Sequence, residues 1–123
     1  MILTVLLLGC SPQLFVEYDQ VGCLDYDFDA PGEEEVVVSQ RGADLIISHT
    51  NLITTCDAVF EPVLTTSDGI LEVREYWTEG SSDCETCVTP QVIIADAPRQ
   101  SVEVRWYIGE ETIPLGVVEA QAE

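Results

Sequence analysis

The stretch that decides the fold is residues 56–80, CDAVFEPVLTTSDGILEVREYWTEG. Asp68-Gly69 lies between two apolar runs and predicts a type I′ turn, because both central positions of that turn have positive φ. With the turn placed there, Phe60 faces Trp77, and the bulky residues of both strands lie on the same face of the sheet. The stretch therefore predicts a β-hairpin with one buried face.

The rest of the chain repeats the same kind of signal. Short β-branched or alternating runs recur between turn signals, and no helical period of useful length appears. Pro90 falls within one of these runs, which predicts an edge strand or a bulge there. The pattern predicts an all-β fold, an antiparallel, immunoglobulin-like β-sandwich of seven or eight short strands. Besides the hairpin, the expected strands are residues 36–40, 45–50, 88–94, 101–108 and 113–119.

The composition restricts the partners. The 123 residues carry a formal charge of −19, with 23 acidic residues, one histidine and only four basic residues, all arginine. Such a charge repels phosphate backbones, so we expect no nucleic-acid binding. It also opposes electrostatic attachment to an anionic membrane. A basic partner, for instance an envelope protein, fits the charge better.

The N-terminus carries a motif of its own. Residues 1–9 are an apolar run, too short to span a bilayer, and they end in a small residue before a cysteine. Leu7-Leu8-Gly9-Cys10 resembles the lipobox of bacterial lipoproteins, in which the leader is cut before the cysteine and the cysteine is lipidated. The leader is short and lacks a basic start, which a translation start upstream of Met1 would explain. The resemblance implies a membrane partner, reached through a lipid anchor on Cys10.

Four further cysteines remain once Cys10 is assigned to lipidation. An even number in an exported chain predicts disulfides. The hairpin register brings Cys56 close to the loop of Cys84 and Cys87, so we favour Cys56 bonded to one of that pair and Cys23 to the other. The alternative is a Cys84–Cys87 bridge with a Cys23–Cys56 bridge.

A metal site is the main rival interpretation of these cysteines. His49, Cys56, Cys84 and Cys87 would form a Cys₃His zinc set, and C-x-x-C is a normal half of such a site. Exported thiols tend to oxidise, however, and only one half has standard spacing. Acidic neighbours of the C-x-x-C pair also disfavour a redox-active thiolate. We therefore expect no metal, no cofactor and no enzymatic activity.

Two acidic features remain. Glu75 falls on the apolar face of the hairpin, where it is expected at the sheet rim or paired with an arginine or His49. We see no second group that would make it catalytic. Asp25, Asp27 and Asp29 match the opening of an EF-hand loop, but the later ligand positions and flanking helices are missing.

The order of several motifs is similar to that of a group of small uncharacterised bacterial lipoproteins. They are His49-Thr50-Asn51, Cys56, the strand Ile70 to Glu75, and Cys84-Glu85-Thr86-Cys87. The similarity implies a lipid-anchored, disulfide-containing β-domain and carries over no functional residue. We expect residues 1–9 to be a signal peptide, 10–20 a lipidated N-terminus and tether, and 21–123 the β-sandwich. The alternation of Leu14, Val16 and Tyr18 offers a short first strand within residues 11–20 as the alternative to a tether. The expected place is the bacterial cell envelope, at the outer membrane or facing the periplasm, and the expected role is binding or structural.

Overall fold

A computed structural model describes residues 14–23, 32–78, 80 and 83–122. The described residues form nine strands and no helix, so none of them makes a helix that could cross a membrane. The strands are β1 (Phe15–Gly22), β2 (Val36–Arg41), β3 (Asp44–His49), β4 (Leu52–Thr55), β5 (Val63–Ser67), β6 (Ile70–Glu75), β7 (Glu85–Ala95), β8 (Val102–Ile108) and β9 (Gly116–Ala120). The all-β prediction is confirmed, with more strands than the seven or eight expected.

The strands form two sheets that pack face to face. The five-stranded sheet has the order β1-β7-β3-β2, with β4 also paired to β7, and the four-stranded sheet has the order β5-β6-β8-β9. Their facing sides bury the apolar core, which includes Leu45, Ile47, Val92 and Ile94 from the first sheet and Leu71, Val73, Val104 and Trp106 from the second. This is the sandwich arrangement expected for alternating strands. The immunoglobulin-like topology stays a prediction.

The central hairpin has the predicted register. Asp68 and Gly69 have φ values of 48° and 80°, as a type I′ turn requires. Phe60 and Trp77 form a β-bridge, and their ring centroids are 5.5 Å apart. Because the turn and the apolar alternation are both local signals, they were sufficient to place this pair.

The edge-strand alternative predicted for Pro90 was wrong. Pro90 lies in the middle of β7, an eleven-residue strand that pairs with β1 on one side and with β3 and β4 on the other. The ladder with β3 ends at Gln91 and the ladder with β4 begins at Val88. Pro90 therefore sits at the gap between two partners, where its missing N–H interrupts neither ladder.

The sandwich is not wholly antiparallel. β6 and β8 pair in parallel, with Val73 opposite Trp106. Between them the chain crosses to the other sheet and runs through β7, so it re-enters the four-stranded sheet in the same direction. The other pairs are antiparallel.

The N-terminal boundary of the sandwich also differs from the expectation. β1 begins at Phe15 and pairs along its whole length with β7, from Phe15 opposite Ala95 to Gly22 opposite Val88. Residues 15–20 therefore belong to the sheet, which agrees with the first-strand alternative and not with a tether. The lipobox with Cys10 and the acidic run Asp25 to Asp29 lie outside the described residues.

Candidate functional site

Glu75 is the centre of a buried polar cluster between the two sheets. It is the last residue of β6, and its position two residues after Val73 turns its side chain into the core, where it is 4% exposed. Its Oε1 accepts hydrogen bonds from Trp106 Nε1 at 2.8 Å and from His49, and its Oε2 accepts one from Trp77 Nε1 at 2.7 Å. Both tryptophans of the chain therefore donate to one carboxylate.

His49 supplies the countercharge. It is the last residue of β3 and is 1% exposed. Its Nδ1 lies 2.6 Å from Glu75 Oε1, and its Nε2 lies 2.8 Å from Oε1 of Glu34, whose side chain is 52% exposed. An ionised carboxylate only accepts hydrogen bonds, so two such contacts require an N–H on both ring nitrogens. His49 is therefore an imidazolium that joins a buried carboxylate to a surface one.

The pKa values agree with this assignment. Burial, the largest influence on both groups, lowers the pKa of His49 and raises that of Glu75. The hydrogen bonds and charges that these groups exchange, with Glu34 acting on His49 and the tryptophans on Glu75, outweigh burial. The pKa of His49 is therefore raised above its ordinary 6.5, and the pKa of Glu75 is lowered below its ordinary 4.5.

The chemistry available to this cluster is limited by its enclosure. Among the described residues, every buried side-chain nitrogen or oxygen has a hydrogen-bond partner. Glu75 accepts hydrogen bonds from three neighbouring side chains and is almost wholly enclosed by the core. The cluster holds a fixed proton and a fixed charge pair between the sheets, with Glu34 exposed and Trp77 partly exposed at its border.

The sequence located this cluster only in part. It placed Glu75 on the apolar face and named His49 as one possible partner, which is confirmed, whereas the alternative position at the sheet rim is wrong. The donation from Trp106 to Glu75 was missed because β6 and β8 pair across a long sequence separation. Glu34 gave no signal, since it belongs to a run of three similar acids.

The cysteines form two disulfides, in the favoured arrangement. Cys56 bonds Cys84 and Cys23 bonds Cys87, with Cα atoms 5.4 Å and 5.5 Å apart. Both bridges join neighbouring segments beside the N-terminal half of β7, and backbone hydrogen bonds from Cys56 N to Cys84 O and from Cys23 N to Cys87 O accompany them. The covalent links are thus concentrated at one end of the five-stranded sheet.

The zinc set considered from the sequence is not assembled. Its three cysteine sulfurs lie in disulfides, and His49 faces Glu34 and Glu75 instead. Within the residues that the structure describes, no three His, Cys, Asp or Glu side chains form a group suited to a metal ion.

A cavity of about 410 Å³ lies at the start of β6 and β8. Leu14, residues 66–70 of the hairpin turn and parts of the β7–β8 connection line it. Asp68 is the one titratable residue among its described lining residues, and Asp68 is already required by the turn. The comparisons add no further assignment, since no family model, curated protein or solved structure matches the chain.

Proposed function

We propose that this chain is a lipid-anchored domain of the bacterial cell envelope with a binding or structural role. The proposed attachment is a lipid on Cys10, within the lipobox-like Leu7-Leu8-Gly9-Cys10. The motif order shared with small bacterial lipoproteins agrees with this proposal.

The observation that carries the proposal is the pair of disulfides, Cys23–Cys87 and Cys56–Cys84. Disulfides persist in oxidising compartments and are rare in the cytosol of mesophiles. They use every cysteine except Cys10. A lipoprotein would use Cys10 for the lipid and the other four cysteines for these two bridges, which agrees with the proposal.

The polar groups of the core favour binding or structure over catalysis. His49 and Glu75 are the best candidates for proton transfer, but they are 1% and 4% exposed and bonded to each other. A general acid or base has to reach its substrate within hydrogen-bond distance. A partner would instead meet the exposed strands and the acidic surface.

Cell fractionation tests the anchor. The full chain should sediment with membranes and stay there in high salt, whereas Cys10→Ser should move to the soluble fraction. Ser11→Ala is the matched control, because it changes the neighbouring residue and keeps the cysteine. An intact mass showing unmodified Met1–Glu123 in the native host would overturn the proposal.

A further inference from the structure

Strand β1 is an edge of the five-stranded sheet. It pairs with β7 along eight residues without a bulge, and no described strand pairs with its other side. At the opposite side of the sandwich the two edge strands, β2 and β9, pack against each other. A Cβ atom added at Gly116 of β9 would come within 2.9 Å of Val36 of β2, which shows how close these strands lie.

The outward side of β1 carries backbone donors that pair with no other strand of the described residues. Cys23 N donates to Cys87 O, so the alternation of an antiparallel ladder turns the odd-numbered residues of β1 towards β7 and the even-numbered ones outward. Asp19 Oδ1 accepts from the outward N–H of Gln20 at 2.8 Å. The N–H groups of Val16, Tyr18 and Gly22 point away from the sheet.

Natural edge strands are commonly protected by charged side chains, especially lysine, by proline, a bulge or short length, or by a covering loop. β1 is eight residues long, pairs without a bulge and contains neither lysine nor proline, so its two carboxylates, Glu17 and Asp19, are the protection that the described residues provide. An eight-residue edge of this kind is a template for another strand.

The outer face of β1 shows what kind of strand fits. Phe15, Glu17, Asp19 and Val21 alternate with the inward residues and lie on one face, with Phe15 62% and Val21 40% exposed. Two carboxylates lie between two apolar side chains. The complementary strand carries two basic residues between two apolar ones.

We propose that β1 is a docking edge for an extended segment of a basic partner protein, which joins the five-stranded sheet as an added strand. This inference rests on the binding role proposed above and names its partner class. A second copy of this chain fits poorly. Two-fold antiparallel pairing about Tyr18 would set Glu17 opposite Asp19 of the other copy, and like charges directly opposite destabilise a strand pair.

Titration of the full-length, ¹⁵N-labelled chain with a capped peptide, Val-Thr-Lys-Thr-Lys-Thr-Val, tests the proposal. The peptide reads the same in both directions, so it presumes neither parallel nor antiparallel addition. We expect the largest amide shifts at Val16, Tyr18 and Gly22. The control peptide, with glutamate in place of lysine, should bind at least about tenfold more weakly.

Variants of β1 separate strand addition from general attraction to an acidic protein. Glu17→Lys should weaken the lysine peptide about tenfold, with Glu17→Gln between it and the native chain. Tyr18→Pro removes an outward N–H without touching the β7 ladder and should abolish binding, whereas Tyr18→Ala keeps that N–H and should bind.

Three outcomes would overturn the inference. The first is amide shifts that spread over the acidic surface and do not change in Glu17→Lys. The second is equal peptide binding by Tyr18→Pro and Tyr18→Ala. The third is a dimer of the native chain in analytical sedimentation that is absent in Tyr18→Pro. Peptide binding is measured on the purified chain and does not depend on where the chain resides. Failure of the anchor test and failure of this test are therefore distinguishable.

Discussion

Substitutions of His49 and Glu75 should have strongly non-additive effects on the free energy of unfolding. His49→Leu leaves the Glu75 carboxylate buried with two indole donors and no countercharge, which should cost about 3–5 kcal/mol. Glu75→Gln keeps the shape but removes the charge, and its amide nitrogen cannot accept a hydrogen bond as the replaced oxygen did; loss of charged hydrogen bonds costs about 1.5–3 kcal/mol. In the double variant, the glutamine no longer leaves a buried charge unpaired.

The loss of unfolding free energy in the double variant should therefore be smaller than the summed losses of the two single variants by about 1.5–3 kcal/mol. Urea unfolding of the oxidised chain, followed by circular dichroism, measures each free energy. The pH should lie between 4.5 and 6.5, where both groups keep their native charge. Circular dichroism is preferred to fluorescence because both tryptophans contact Glu75.

Glu72→Gln provides the matched control. Glu72 lies on the same strand but on the other face, where it pairs with Arg74 at 3.1 Å. Its effect should add to that of His49→Leu within about 0.5 kcal/mol. If Glu75→Gln is equally additive, the charge pair does not hold the sheets together and the assignment of an imidazolium is refuted.

The remaining predictions concern the same cluster, the core and the cysteines. Since the pKa of His49 is raised and that of Glu75 is lowered, their stabilisation should be complete between pH 4.5 and 6.5. This contribution to the free energy of unfolding should decline as the pH rises through the raised pKa of His49 or falls through the lowered pKa of Glu75. A difference in unfolding free energy between the native chain and His49→Leu that does not change with pH would contradict this. Glu34→Gln should lower the pKa of His49, read from the ring signals of the only histidine, and an unchanged titration would exclude the contact. Phe60→Ala should destabilise the fold by about 3–5 kcal/mol in the same urea assay, because this ring is 2% exposed, and a loss below about 1 kcal/mol would argue against its core position. Alkylation of the native protein without reductant should find no free thiol among four residues, Cys23, Cys56, Cys84 and Cys87, and stoichiometric zinc with four free thiols would favour a metal site instead.

The sequence predicted what is local and missed what is distant. Asp68-Gly69 and the alternation around it placed Phe60 against Trp77, since a turn and its strands are neighbours in the chain. The proline rule failed at Pro90, because two different strands, β3 and β4, divide one side of β7 between them. A rule that considers one strand at a time cannot predict that two partner strands share one side of it.

The candidate site was likewise predicted where the sequence signal is local and missed where the contact depends on distant strands. Glu75 stood out because a carboxylate on an apolar face needs a partner, and His49 was among the partners considered. The parallel pairing of β6 with β8, which brings Trp106 to the same carboxylate, depends on the crossover through the other sheet. The hairpin register brought Cys56 to the loop of Cys84 and Cys87, with Cys23 left for the other cysteine, but it did not decide which of the two bonds Cys56.

The Cys23–Cys87 bridge also determines how the domain responds to force. A pull applied through the residues before Leu14 loads β1 at Phe15, and the ladder with β7 then opens one pair at a time, as in unzipping. The opening stops at Cys23, which is joined to Cys87 by a covalent bond as well as by a hydrogen bond. The eight residues of β1 release roughly 30 Å of chain. The load then passes through the disulfide into β7 and bypasses β2 to β6, which lie between the two cysteines in the chain. Under tension from its N-terminal side, the domain yields by a fixed length and then holds, for as long as that disulfide stays oxidised.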